Sequence, residues 1–147
     1  MFLNLKFSRK RQHLKHGTIR IKYRKSGLTL EESNEIQMLI ENAFEIDRIY
    51  MDAGLNLDEL AKLLDKSKHK ISEVFSKKMK CTFYEMLNQY RIEEARKLLL
   101  NGSQISIKSI IYEVGYCSKA SFYKEFKKKV GMTPKAYRKM FLKTQDF

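Results

Sequence analysis

The sequence predicts an all-α protein in which two helix-turn-helix units are joined by one long helix. The 147 residues include only six Gly and one Pro, too few for a many-turned β-sandwich and suited to helices joined by short loops. Hydrophobic residues make up 43%, enough for a modest core and too many for a wholly disordered chain. The third observation is internal repetition: the apolar pattern of residues 57–82 recurs at 107–133.

The elements follow in order. Residues 1–25 hold nine Lys or Arg and no acid, so 1–27 reads as a flexible basic arm with at most one short strand, Thr18–Tyr23. The next segment, 28–54, reverses the sign, with seven acids set against Arg48. Thr29-Leu30-Glu31-Glu32 has capping-box spacing, which opens a helix there. Ile36, Leu39, Ile40, Ala43 and Ile46 then recur at helical intervals, and the helix is expected to end before Asp52-Ala53-Gly54.

A third segment spans 55–142. Leu57, Leu60, Ala61 and Leu64 align with Ile107, Ile110, Ile111 and Val114 at an offset of 50. After one extra residue, Cys117, the offset becomes 51. Ser67, Lys68, Ile71, Phe75, Met79 and Thr82 then align with Ser118, Lys119, Phe122, Phe126, Val130 and Thr133. Each copy, about 57–80 and 106–130, reads as a short amphipathic helix, a tight turn and a second helix begun by a Ser cap. Between them Thr82-Phe83-Tyr84-Glu85 is another capping box. It opens a helix over 82–101 with Phe83, Leu87, Tyr90, Ala95, Leu98 and Leu99 on its apolar face and Gly102 as its stop. At 1.5 Å per residue that helix spans about 28 Å, enough to hold two units at a fixed separation. Thr133-Pro134 begins the last helix, 133–142, whose apolar residues are Ala136, Tyr137, Met140 and Phe141.

The formal net charge of +13 points to a polyanion partner, and its placement is informative. Residues 67–80 carry five Lys against Glu73, and 118–130 five Lys against Glu125. One stripe of each second helix is apolar, Ile71, Val74 and Phe75 in one and Phe122 and Phe126 in the other, which leaves the opposite face for a partner.

These stretches together resemble the DNA-binding domain of AraC/XylS-type transcription regulators, over about 85 residues, 56–141. The similarity rests on Leu57-Asp58-Glu59-Leu60-Ala61, on Arg91-Ile92-Glu93-Glu94-Ala95-Arg96-Lys97-Leu98-Leu99, and on Ile110 with Glu113-Val114-Gly115-Tyr116. It continues in Ser118-Lys119-Ala120-Ser121-Phe122-Tyr123-Lys124-Glu125-Phe126-Lys127 and in Gly131-Met132-Thr133-Pro134-Lys135-Ala136-Tyr137-Arg138. The resemblance implies two homeodomain-like subdomains whose second helices enter adjacent major grooves of duplex DNA, about 34 Å apart. Carried over by position, it implies base contacts from His69, Ser72 and Glu73 in the first unit and from Lys119, Ala120, Tyr123 and Lys124 in the second. Ser67, Lys68, Lys70, Ser118, Lys127, Lys128 and Arg138 are then expected at phosphates, which position the protein without specifying sequence.

The expected function is sequence-specific binding of double-stranded DNA by a transcription activator that also meets RNA polymerase, in the cytoplasm on the nucleoid. The competing readings are a basic helical module that docks on a protein or membrane, and a nonspecific nucleic-acid binder. No enzyme, cofactor or metal is expected. The chain has no Gly-rich phosphate loop, His13-x-x-His16 lacks further ligands nearby, and no apolar run reaches the roughly 18 residues of a membrane span. Relatives in this family use a Cys to accept alkyl groups in DNA repair, but Cys81 and Cys117 are not in an activated setting, and both read as reduced thiols. The 55 or so residues before the first unit are too few and too polar for a ligand-binding barrel. The chain is thus either a stand-alone regulator or the C-terminal part of a longer one.

Two departures from the family pattern carry expectations. Asp65 and Lys66 stand where Gly115 and Tyr116 stand in the second unit, which predicts a looser first turn. Ile111 replaces a small residue such as Ala61, which predicts a slightly spread second unit.

Overall fold

A computed structural model describes residues 27–101 and 104–142. The basic arm, the strand expected at Thr18–Tyr23 and the Gly102 stop lie outside the described residues. Among the described residues all regular structure is helical: α1 (Leu30–Glu45), a 3₁₀ turn (Ile49–Met51), α2 (Leu57–Leu63), α3 (Lys68–Glu73) continued by a π-helical segment (Val74–Met79), α4 (Phe83–Asn101), α5 (Ile107–Glu113), α6 (Lys119–Val130) and α7 (Pro134–Leu142). The expected fold class holds.

α1 starts where predicted, the Thr29 hydroxyl accepting from the Glu32 N–H at 3.1 Å. The returning arm of the capping box is replaced, because the Glu32 carboxylate takes Lys70 Nζ at 2.5 Å. The helix stops at Glu45, before Asp52 as expected, and Ile46 is 71% exposed instead of joining the apolar face. The cause lies at Arg48, which turns the backbone left-handed (φ 54°) while its guanidinium donates to Glu94 at 2.6 Å and to the Tyr50 hydroxyl at 3.1 Å. That reversal buries Tyr50 in the 3₁₀ turn.

Two apolar cores result. Ile36, Ile40 and Phe44 of α1 meet Leu60, Ile71 and Phe75 in the first. Ile110, Val114, Phe122, Phe126 and Tyr137 make the second. α4 serves both, giving Phe83, Met86 and Leu87 to one and Ile92, Ala95 and Leu99 to the other. At 100° per residue these two sets lie roughly 150° apart around the helix, so the units flank it on nearly opposite sides.

The units meet at the middle of α4. Arg91 is buried there and donates from Nε to the Tyr50 carbonyl and from Nη2 to the Asp52 carbonyl, both at 2.7 Å. Its guanidinium also lies 5.5 Å from the ring centre of Tyr116, whose hydroxyl donates to Asn88 Oδ1 at 2.8 Å. Burial pulls the Arg91 pKa below its ordinary value, against the opposing pull of Tyr116. Gly115 permits this approach twice over. Its φ of 89° is left-handed, and a Cβ would sit 2.8 Å from the Tyr50 carbonyl oxygen and 2.9 Å from Arg91 Nε.

The first turn is not looser than the second. Asp65 adopts φ 50°, a conformation Asp tolerates through its short polar side chain, and Lys66 N–H reaches the Ala61 carbonyl at 3.1 Å. In the second unit Tyr116 N–H reaches the Ile111 carbonyl at 3.0 Å, so the matching bond closes each turn. Ile111 does not lengthen it, and its side chain is buried. The first unit departs elsewhere: its second helix slackens into the π-helical segment and ends at Lys80 (φ 57°), where Cys81 N–H bonds the Phe75 carbonyl at 3.2 Å.

α4 opens on a complete capping box. Thr82 N–H donates to Glu85 Oε2 at 2.7 Å and Glu85 N–H to Thr82 Oγ1 at 3.1 Å. Thr82→Ala is expected to cost about 1 kcal/mol in urea unfolding. The hydrogen bonds from the Thr82 backbone and then its hydroxyl hold the Glu85 carboxyl below the usual range. A depressed folded pKa adds stability above the unfolded value and loses it as pH falls through the folded one. The wild-type advantage over Thr82→Ala should therefore shrink from neutral pH to below about pH 4. A difference independent of pH would show that the Glu85 charge plays no part in the cap.

Candidate nucleic-acid interface

The geometry of each unit follows from its caps and turn. The Ser67 hydroxyl accepts from Lys70 N–H at 3.3 Å and the Ser118 hydroxyl from Ser121 N–H at 3.2 Å, so both serines cap the second helix of their unit. Ile71, Val74 and Phe75 anchor one helix in its core and Phe122 and Phe126 the other. This leaves outward faces of matched position, and most of the expected base-reading residues lie on them. His69, Ser72, Lys119, Ala120 and Lys124 are exposed. Tyr123 is half-buried, its ring 5.9 Å from that of Phe122 and covered by Lys119 Nζ at 5.3 Å. Lys119 and Tyr123 also border a shallow groove against Tyr112 of α5.

Glu73 is placed differently from its companions. Its side chain is only 9% exposed and accepts Lys77 Nζ at 2.7 Å, so its carboxylate is turned toward the protein. Among the residues expected at phosphates, Lys127 and Lys128 are exposed in the last turn of α6. Lys68 pairs with Asp58 at 2.8 Å and Lys70 with Glu32 at 2.5 Å. Arg138 donates to the Leu99 carbonyl at 3.3 Å, which ties α7 to the end of α4.

Sequence reasoning missed Arg91 and the carboxylates of α1. The signal for Arg91 was present, since it stands between Leu87 and Ala95 at four-residue spacing on a helix face that is otherwise apolar. The α1 glutamates gave no such sign, because their partners, Lys66 in the turn and Lys70 on the second helix, lie more than 30 residues away. Among the described residues no group of three His, Cys, Asp or Glu is arranged to hold a metal, and no helix is long and apolar enough to cross a membrane.

Two helix-turn-helix units capped alike and borne on one continuous helix define a tandem DNA-binding domain. A family model of the helix-turn-helix domain matches residues 60–140. The chain belongs to the AraC/XylS-type helix-turn-helix family. It is 31% identical over 98 residues to an uncharacterised HTH-type transcriptional regulator, YtdP, of Bacillus subtilis, a match covering 67% of this chain and 13% of that protein. It is 32% identical over 85 residues to the xylose operon regulatory protein of Escherichia coli K12, covering 58% of this chain and 21% of that protein. The chain thus spans a small fraction of the length of these curated relatives. The C-terminal domain of AraT, a response regulator from Geobacillus stearothermophilus, superposes with a TM-score of 0.63 at 27% identity, covering 70% of this chain and 84% of that domain.

Proposed function

We propose that the chain is a sequence-specific DNA-binding transcription regulator that sets α3 and α6 into adjacent major grooves of one duplex. The observation that carries this reading is the pair of outward helix faces, each starting at a Ser cap and each fixed to the same α4. His69 and Ser72 on one face and Lys119, Ala120 and Lys124 on the other offer donors and small side chains to base edges. Lys127 and Lys128 add phosphate contacts. On this reading the partners are promoter or operator DNA and RNA polymerase, the outcome is activation, and the site of action is the cytoplasmic nucleoid.

The test begins with duplexes selected by the full chain from a random pool. Lys124→Ala is expected to weaken binding to a selected duplex by about 1–3 kcal/mol, and to weaken binding to an unrelated duplex by clearly less, since there only its charge counts. Equal losses on both would remove Lys124 from base readout. Failure of the pool to enrich any sequence would remove sequence-specific regulation altogether.

A further inference from the structure

The two units match in backbone and differ in charge. Residues 28–80, which hold α1 and the first unit, carry eight Lys or Arg and eleven Asp or Glu, a net of −3. Residues 104–142, the second unit and α7, carry nine Lys or Arg and two acids, a net of +7. The intervening α4 region, 81–101, has three of each sign.

Side-chain placement sharpens that contrast. On the second helix of the first unit Lys68 pairs with Asp58, Lys70 with Glu32 and Lys77 with Glu73, while Lys78 donates to Asn34 Oδ1. In its turn Lys66 pairs with Glu35 at 2.9 Å. The acidic α1 packs along this helix and holds Lys70 and Lys78 on its own side, away from His69 and Ser72. In the second unit Lys119, Lys124, Lys127 and Lys128 have no ion pair among the described residues. Lys129 bonds the neutral amide of Gln89 at 2.8 Å.

Exposed ion pairs are individually weak, and a phosphate can displace a carboxylate from a lysine. The exchange nevertheless changes what binding yields. A free lysine that meets a phosphate releases a condensed counterion, whereas a lysine already neutralised by a carboxylate leaves that carboxylate behind beside the DNA. Resting on the duplex-binding reading above, we infer that the second helix-turn-helix is the electrostatic anchor of the complex. The first unit then docks by shape and hydrogen bonding through a face of nearly balanced charge. Salt-dependent, sequence-independent affinity of the folded body resides mainly in α6, and the first unit adds its share of discrimination on duplexes already held.

The experiment is a salt titration of the full chain on a random-sequence 30-base-pair duplex, followed by fluorescence anisotropy. Replacing Lys119, Lys124, Lys127 and Lys128 together with Gln is expected to reduce the slope of log K against log salt by about 3 and to lower affinity at 50 mM salt at least 100-fold. The same replacement of Lys68, Lys70, Lys77 and Lys78 is expected to change the slope by less than about 1. The reverse experiment, Glu32→Gln with Glu35→Gln and Asp58→Asn, frees three lysines. It should steepen the slope by at least about 1, a gain that misfolding cannot mimic. Equal slope losses from the two lysine sets, or an unchanged slope in the carboxylate variant, would overturn the inference while leaving duplex binding intact. Absence of any duplex binding by the wild type would instead sink the DNA-binding reading.

Discussion

Gly115→Ala should lower the stability of the chain by about 3 kcal/mol in urea unfolding followed by circular dichroism. Two independent effects add. The left-handed φ of 89° costs a residue with a Cβ about 1 kcal/mol. The new methyl would also stand 2.8 Å from the Tyr50 carbonyl oxygen and 2.9 Å from Arg91 Nε. Neither neighbour can withdraw cheaply, because they are hydrogen-bonded to each other at 2.7 Å. Separation of the two units by a few tenths of an ångström is the available relief, and it loosens both cores. Gly131 is the internal control. It is left-handed too (φ 83°), but a Cβ there would meet nothing within 4 Å, so Gly131→Ala should cost only the conformational part, about 1 kcal/mol. Equal losses at the two glycines would show that the contact at Gly115 is immaterial.

Arg91→Met is the second large effect, expected at about 3 kcal/mol by the same measurement. Methionine fills much of the arginine volume, so the loss reports on hydrogen bonds rather than on a cavity. The carbonyls of Tyr50 and Asp52 would each lose a charged donor at 2.7 Å. Tyr116 would keep its bond to Asn88 and lose the cation above its ring. Because Arg91 and Gly115 share the Tyr50 carbonyl, the double variant should lose less than the sum of the two single losses. Strict additivity would mean that the two residues act on different parts of the molecule.

The contrast between Arg91 and the rest of α4 shows what the sequence made legible. Both Ser caps, the Thr82 box and the course of the long helix could be read because each depends on residues a few positions apart, and the repeat because two such local patterns recur in the same order. The apolar face assigned to α4 was read as one face, although its two halves serve cores on different flanks. Matches at three- and four-residue spacing mark each neighbouring pair as sharing a face, and the drift that accumulates over the length of the helix shows only when the angles are summed at 100° per residue. Asp65 illustrates the opposite error, in which a residue-type rule predicted looseness although the backbone bond from Lys66 N–H to the Ala61 carbonyl closes the turn. Arg48 reverses the chain after α1 through partners at positions 50 and 94, the second beyond any local window. The candidate site divides in the same way. Exposure of His69, Ser72 and Lys124 follows from helical position, whereas the inward turn of Glu73 and the pairing of Lys70 depend on side chains that only the fold brings near.

The drift of the α4 stripe has a thermodynamic consequence. A tandem repeat invites the picture of two modules on a tether, each able to melt alone. Here neither half of the repeat encloses its own core, because each borrows a different flank of one helix. Melting either core would leave three apolar α4 side chains open to water on a helix that the other core still needs intact. At about 1.5–3 kcal/mol for each large apolar side chain exposed, that penalty discourages a half-unfolded state. The Arg91 and Gly115 contacts add to it. Heat or denaturant should therefore take the two copies apart together, so that the repeat behaves as one cooperative folding unit.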